Sequence, residues 1–154
     1  MSLNGVSIVT TTWNERENIE KLVSAIRSAF QSVPHEIIVI DDSSPDGTMQ
    51  IAKRIADVAV TKKREGQTKG LPYGMRLARY ATMVTIDADL EKGPKGVPDL
   101  LRQTTKYDLV VASRTKLPRV AEKIVSRTLG KLVDVTDTMS NFRAYRREPS
   151  RNLS

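Results

Sequence analysis

This 154-residue sequence predicts an α/β fold: a mostly parallel sheet with helices on both faces. Three observations predict it. Short runs such as Val6 to Thr10 and Ile37-Ile38-Val39-Ile40 are apolar without strict alternation, as in strands buried on both faces. Segments with apolar residues at helical spacing alternate with those runs, the order that parallel strands need for their crossovers. Polar turns rich in Asp, Ser, Gly and Asn follow the runs, and no internal repeat or low-complexity tract interrupts the pattern.

Val6 to Thr10 reads as the first strand. Asn14-Glu15-Arg16-Glu17 turns into a helix whose Ile19, Leu22, Val23, Ile26, Ala29 and Phe30 make one stripe. After Pro34, Glu36 to Ile40 is the second strand, stopped by Asp41-Asp42. Ser43 to Thr48 is dense turn chemistry, with Asp46 or Thr48 able to cap a helix that carries Met49, Ala52, Ile55 and Ala56 on one face. Asp57 to Thr61 reads as a short third strand and Lys62 to Gly70 as a charged loop. Met75 to Ala81 is expected to be a short helix, Met83 to Ile86 a fourth strand, Val97 to Thr104 a helix and Leu109 to Ala112 a fifth strand.

The chain has the length of one domain, residues 1–154, with a single core. It has no cysteine, which rules out disulfides, thiolate catalysis and sulfur-based zinc sites and suits a reducing cytoplasm. Its apolar runs are too short to span a bilayer, and the N-terminus lacks a signal-peptide core. The lone His35 reads as an exposed loop residue, so histidine catalysis is not expected. The net charge of +7 is uneven. Residues 1–113 hold 15 Lys and Arg against 14 Asp and Glu, while residues 114–154 hold 10 against 4. That basic segment suits phosphate, an anionic membrane surface or nucleic acid. Its only aromatic residues are Phe142 and Tyr145, so nucleic acid is the weakest of the three.

Asp87-Ala88-Asp89 follows the fourth run. Two carboxylates one residue apart on extended backbone share a face, and Glu91 stands two residues on. Such a pair suits Mg²⁺ or Mn²⁺, which bind through a few carboxylates and phosphate oxygens. A solvated acidic turn is the plain alternative. In a parallel sheet ligands lie beyond the carboxyl ends of the strands. By that rule Thr12-Trp13-Asn14-Glu15, Asp41-Asp42, Asp87-Ala88-Asp89 and Ser113-Arg114 gather at one edge.

These residues resemble a family. Thr11 to Asn18 resembles the P-T-Y-N-E-x-E-N opening of inverting glycosyltransferases of family 2, which have the Rossmann-like GT-A fold. Asp41 to Thr48 is similar to the D-D-x-S-x-D-G-T segment of its polyprenyl-phosphate branch. Lys69-Gly70-Leu71, Asp87-Ala88-Asp89-Leu90 and Ala112-Ser113-Arg114 continue in order, and Asp137 to Glu148 resembles D-x-x-S-G-F-R-A-Y-R-R-E. The likeness points to the dolichyl-phosphate mannose synthases within that branch and covers essentially the whole chain.

The resemblance implies a metal-dependent, inverting sugar transfer from a nucleotide-sugar, with GDP-mannose the favoured donor, to a polyprenyl phosphate. It implies that Asp87, Asp89 and Glu91 hold the ion on the diphosphate, with Asp89 and Arg114 closest to the chemistry. Thr11, Trp13, Glu15, Asp42, Lys69 and Ala88 would lie along the donor, and Arg114, Arg119, Ser126 and Arg127 around the acceptor phosphate. Structural alternatives stand beside some of these: Trp13 as a cap on the core, Asp41 as a loop brace, Glu15 and Asp46 as helix caps. A phosphate monoester is largely dianionic near neutral pH, its second pKa being about 6, so its attack needs little help from a base.

Three departures accompany the likeness. The stretch from Lys69 to the acidic pair is about a turn short, the segment from Arg114 to Arg127 is compressed, and Glu122 stands where many relatives carry Arg, a role Arg119 can take. Relatives also continue past Glu148, so a compact form, a truncated one, a homodimer and a missing C-terminal partner are all open. Val120, Ile124, Val125, Leu129, Leu132 and Val133, with Arg119, Lys123, Arg127 and Lys131, make a basic amphipathic helix. It suits either a core-facing helix with a solvated side or one lying on the cytoplasmic membrane face. A transferase using a UDP-sugar and another acceptor, and a non-catalytic nucleotide-binding remnant, are the alternative functions.

Overall fold

A computed structural model describes residues 4–88, 97–112 and 142–146. Among the described residues six strands form one sheet: β1 Val6–Thr12, β2 His35–Asp41, β3 Val58–Thr61, β4 Thr82–Thr85, β5 Leu109–Val111 and β6 Arg143–Arg146. Four helices among the described residues accompany them, α1 Ile19–Ala29, α2 Thr48–Ile55, α3 Gln67–Leu77 and α4 Val97–Gln103. The strand order is β3-β2-β1-β4-β6-β5. β1 pairs in parallel with β2 and β4, and β2 with β3. β6 runs antiparallel to both β4 and β5. The chain builds outward from β1 through β2 and β3, then crosses to β1's other side to lay β4. That reversal is the switch point where an open α/β sheet leaves a crevice.

Both faces of the sheet are covered. Ile8, Ile37, Val39 and Val84 pack on one face with the α1 stripe of Ile19, Leu22, Val23 and Ile26, with Met49 and Ala52 of α2, and with Leu100 and Leu101 of α4. Val9, Ile38, Ile40 and Met83 form the other face, with Leu71, Met75 and Ala78 over them. The continuous apolar runs are therefore continuous because each alternate residue meets a different helix layer.

Three expectations are corrected. The third helix is not at Met75–Ala81 but begins at Gln67, so the charged loop ends at Gly66. Gly70, Pro72 and Gly74 are poor helix formers, yet the glycines are needed here. A Cβ on Gly74 would strike Val9 Cγ1, and one on Gly70 would lie 2.6 Å from Thr11 Cγ2. Close approach of α3 to β1 outweighs local propensity. His35 is not an exposed loop residue; it opens β2, half-buried, with Nδ1 2.8 Å from the Val33 carbonyl and its ring against Phe30. Arg143-Ala144-Tyr145-Arg146, not foreseen as a strand, is β6.

At the amino edge of the sheet one buried carboxylate ties the layers together. Glu36 accepts from Ser7 Oγ at 2.5 Å and from the Arg79 N–H at 2.8 Å, and Arg79 Nε lies 3.4 Å away. Tyr80 N–H donates to Ser7 Oγ at 3.1 Å. This network seats the turn between α3 and β4.

Candidate functional site

The carboxyl edge of the same sheet carries a cavity of about 290 Å³ at the β1–β4 switch point. β1 and the turn after it supply Thr11, Thr12, Trp13 and Glu15. The residue after β2 supplies Asp42, and the turn after β4 supplies Asp87 and Ala88. Arg64 and Gly66, from the loop between β3 and α3, and Gln67, the first residue of α3, close the side.

The loops that frame the cavity are stitched together. Asn14 N–H donates to Ser44 Oγ at 3.0 Å, Glu15 N–H to Thr48 Oγ1 at 2.9 Å, and Arg16 N–H to Asp46 Oδ2 at 3.1 Å. Asn14 and Ser43, at φ 56° and 62°, take left-handed backbone at the two sharp turns. Asp46 also accepts from the Thr48 N–H and hydroxyl, so it serves the start of α2 from just before the N-cap Gly47. Burial works to raise the Asp46 pKa. The hydrogen bonds from Thr48 and the Arg16 N–H outweigh it, leaving the carboxyl below its ordinary value. Asp41, fully buried, accepts from Thr12 Oγ1 at 2.9 Å, Ser44 N–H at 2.8 Å and Ser44 Oγ at 2.6 Å. It braces the turn after β2 rather than facing the cavity.

Asp42 does face the cavity, but its oxygens are engaged. Oδ1 is ion-paired with Lys62, and Oδ2 accepts from the Gly66 N–H at 2.8 Å. A carboxylate offers about four lone-pair sites, so acceptor capacity remains. Glu15 Oε2 accepts from Asn18 Nδ2 at 2.8 Å, steadying the first turn of α1 while the side chain stays at the cavity wall. Asp87 Oδ1 lies 3.3 Å from Gln67 Nε2. The Arg64 guanidinium sits 3.7 Å from the centroid of the Trp13 ring.

Of the residues expected at the site, Thr11, Trp13, Glu15, Asp42, Asp87 and Ala88 line the cavity. Lys69 is exposed on α3 and does not. Asp89, Glu91, Arg114, Arg119, Ser126 and Arg127 lie outside the described residues, as does the basic segment 119–133. Thr12, placed at the ligand edge by the strand-end rule, also lines the cavity; Arg64, Gly66 and Gln67 were not foreseen as site residues. The strand-end rule, applied also to β3, would have reached Lys62 to Gln67.

The donor set can be tested against a divalent ion. Among the described residues no group of three or more His, Cys, Asp or Glu side chains encloses one. Asp87 is a single carboxylate at an open cavity beside a neutral amide. That fits Mg²⁺ or Mn²⁺, which keep several waters and bind through one or two carboxylates with substrate phosphates completing the shell.

Residues 7–153 match the profile of glycosyl transferase family 2. Over 93% of its length the chain is 32% identical to a dolichol-phosphate mannosyltransferase of Pyrococcus furiosus, covering 46% of that protein. It is 28% identical to an undecaprenyl-phosphate 4-deoxy-4-formamido-L-arabinose transferase of Aeromonas hydrophila, over 92% of the chain and 49% of the relative. The chain thus spans about half the length of these curated relatives. Among solved structures, glucosyl-3-phosphoglycerate synthase of Mycobacterium tuberculosis superposes with a TM-score of 0.78 at 23% identity, covering 93% of this chain and 57% of that one. Another structure of that synthase, with Mn²⁺, UDP and glucosyl-3-phosphoglycerate bound, has a TM-score of 0.76. These likenesses show a shared GT-A fold. The profile match starts in β1 and runs past β6, taking in the whole sheet and every wall of the cavity: the chain belongs to glycosyl transferase family 2.

Proposed function

We propose that the chain is the nucleotide-sugar-binding part of a metal-dependent, inverting glycosyltransferase that delivers a sugar, with GDP-mannose the favoured donor, to a polyprenyl phosphate. The observation that carries this reading is the convergence of three strand ends, bearing Trp13, Asp42 and Asp87, on one cavity at the switch point. The 32% identity to a dolichol-phosphate mannosyltransferase supports the lipid-phosphate acceptor. The Mn²⁺ and UDP bound by the M. tuberculosis synthase support the metal and the nucleotide.

In this reading Trp13 offers its ring to the base, and Glu15 and Asp42 offer acceptors to base and ribose. Asp87, with Asp89 and Glu91, would hold Mg²⁺ or Mn²⁺ against the diphosphate. When bound, the ion neutralises the charge that builds on the departing nucleoside diphosphate. The acceptor phosphate, mostly dianionic at neutral pH, attacks the anomeric carbon from the face opposite the leaving group. The bond from that carbon to the lipid phosphate forms as the bond to the diphosphate breaks, so an α-linked donor yields a β-linked product. Arg114, Arg119, Ser126 and Arg127 would orient the acceptor phosphate, and Lys69 would stand at the donor's margin.

No helix among the described residues is long and apolar enough to cross a membrane. A lipid acceptor is then proposed to be reached by docking of the basic segment 119–133 on an anionic cytoplasmic leaflet. Incubation with radiolabelled GDP-mannose or UDP-glucose, a short polyprenyl phosphate and Mg²⁺ or Mn²⁺ tests the proposal. Lipid-extractable label from GDP-mannose is expected. Label only from UDP-glucose would overturn the donor, and nucleotide binding without any transfer would overturn the activity.

A further inference from the structure

Asp42 holds both ends of one short loop. Lys62 pairs with its Oδ1 and the Gly66 N–H donates to its Oδ2. The Lys62 N–H also donates to the Asp41 carbonyl at 2.9 Å, and Ser43 Oγ to the Lys62 carbonyl at 2.8 Å. Midway along this clamped loop stands Arg64. Its side chain is exposed and lies over Trp13, and among the described residues it makes no hydrogen bond or ion pair. Arg64 is also the one Lys or Arg among the described residues lining the cavity, whose other charged lining groups are the carboxylates of Glu15, Asp42 and Asp87.

That combination is unusual for a resting contact. A guanidinium presents five N–H donors in a planar fork that matches two phosphate oxygens, yet here its sole described partner is a ring face. A nucleoside diphosphate brings two things into this cavity: a flat base that stacks on an indole, and an anion that needs a cation. While Arg64 covers Trp13, the base cannot take that face. The loop's ends are fixed, so the exchange needs only rotation of the Arg64 side chain and no refolding of the loop.

We propose that Arg64 is a positioning residue for the donor nucleotide: it rests on Trp13, yields the ring to the base, and turns its guanidinium to the diphosphate. This rests on the nucleotide-binding reading of the cavity. Asp42 then acts in part through the loop it clamps, by setting where Arg64 pivots.

Trp13 is the only tryptophan in the chain, so its emission reports the ring directly. The test compares the full chain with Arg64→Ala and Arg64→Lys, following Trp13 fluorescence and calorimetric affinity for GDP, UDP and the parent nucleosides in Mg²⁺. Arg64→Ala is expected to weaken diphosphate binding by about tenfold, the loss of one charge-assisted contact. Nucleoside affinity should stay level or rise by up to about threefold, because a cation–π contact no longer competes. Arg64→Lys should keep the salt dependence of diphosphate binding but recover only part of the affinity.

Equal weakening of nucleoside and diphosphate would overturn the proposal, since Arg64 would then merely prop the ring. No change in either would also overturn it. If neither GDP nor UDP bound the wild-type chain, the nucleotide reading itself would fail and the inference with it. Normal binding that is indifferent to Arg64 would sink the inference alone.

Discussion

Replacing Gly70 with alanine should loosen the site by lifting α3, and the structure says by how much. A Cβ on Gly70 would sit 2.6 Å from Thr11 Cγ2, where ordinary contact starts at 3.4 Å, so something must move by about 1 Å. Thr11 cannot give: it is β-branched and therefore stiff at χ1, and its strand is bonded to β2 and β4 on either side. The helix has to shift instead. Overpacking of this kind costs about 1–3 kcal/mol, while alanine gains about 1 kcal/mol over glycine inside a helix. The net expectation is a loss of about 1 kcal/mol, or about 3 °C in Tm for a chain of this size.

A double-mutant cycle isolates the cause. Thr11→Ser removes Cγ2, after which the nearest atoms to the new Cβ are Lys62 Cε at 3.4 Å and Thr11 Cβ at 3.6 Å, both ordinary contacts. In that background Gly70→Ala should be neutral or stabilising by up to about 1 kcal/mol. Urea unfolding followed by circular dichroism measures all four corners. Trp13 emission should shift only in the single Gly70→Ala variant, because α3 carries Gly66 and Gln67 into the cavity wall. If Gly70→Ala costs the same in both backgrounds, the close approach of α3 to β1 is not what fixes glycine at this position.

Other outcomes are expected at the site, in the core and at the basic segment. Asp87→Asn or Asp89→Asn should nearly abolish transfer and metal-dependent nucleotide binding while changing stability by less than about 0.5 kcal/mol; retained transfer would remove the metal assignment. Glu36→Gln should do the reverse, lowering stability by about 1–3 kcal/mol with nucleotide affinity unchanged, as read by parallel melts and calorimetry. The Asp46 pKa is depressed in the folded chain, so its stabilising contribution is present at neutral pH and fades as pH falls through the folded-state pKa. Asp46→Asn should therefore cost stability at pH 7 and flatten the acid side of the stability curve. Lys123→Glu with Lys131→Glu should reduce co-sedimentation with anionic vesicles, each basic residue being worth about 1 kcal/mol at such a surface; equal sedimentation with neutral vesicles would exclude the docking proposal.

The central sheet was legible because burial on both faces leaves a local mark, an unbroken apolar run. The runs stop short of the true strand ends, since Thr11, Thr12 and Asp41 are polar yet buried, and two of them bond each other across the β1–β2 pair. β6 left no such mark. It exists through pairing with β4 and β5, far away in sequence, and within Arg143-Ala144-Tyr145-Arg146 only Ala144 is buried. α3 was misplaced for the opposite reason: its glycines serve a contact with β1 that no local propensity records. At the cavity, the acidic and aromatic residues after β1, β2 and β4 stood out. The wall after β3 did not, because Lys62-Lys63-Arg64 reads as a solvated charge run until Asp42 and Trp13 are placed beside it.

Carboxylates serve different ends in this sheet, and burial separates them. Glu36 at the amino edge meets a hydroxyl, a backbone N–H and a guanidinium, all supplied by the fold. Asp41 at the carboxyl edge is met as fully by Thr12 and Ser44. A buried carboxylate so enclosed has little capacity left for a ligand, and removing it orphans its donors. Asp87 stands at the cavity wall, partly exposed, with a neutral amide 3.3 Å from one oxygen. Asp42 is intermediate, spending its charge on the loop that carries Arg64 across the cavity. Position along the strand therefore does not by itself make a carboxylate functional. What distinguishes Asp87 from Asp41 is place: Asp41 is fully buried in the turn after β2, while Asp87 is partly exposed at the crevice, where a ligand's charge can meet it.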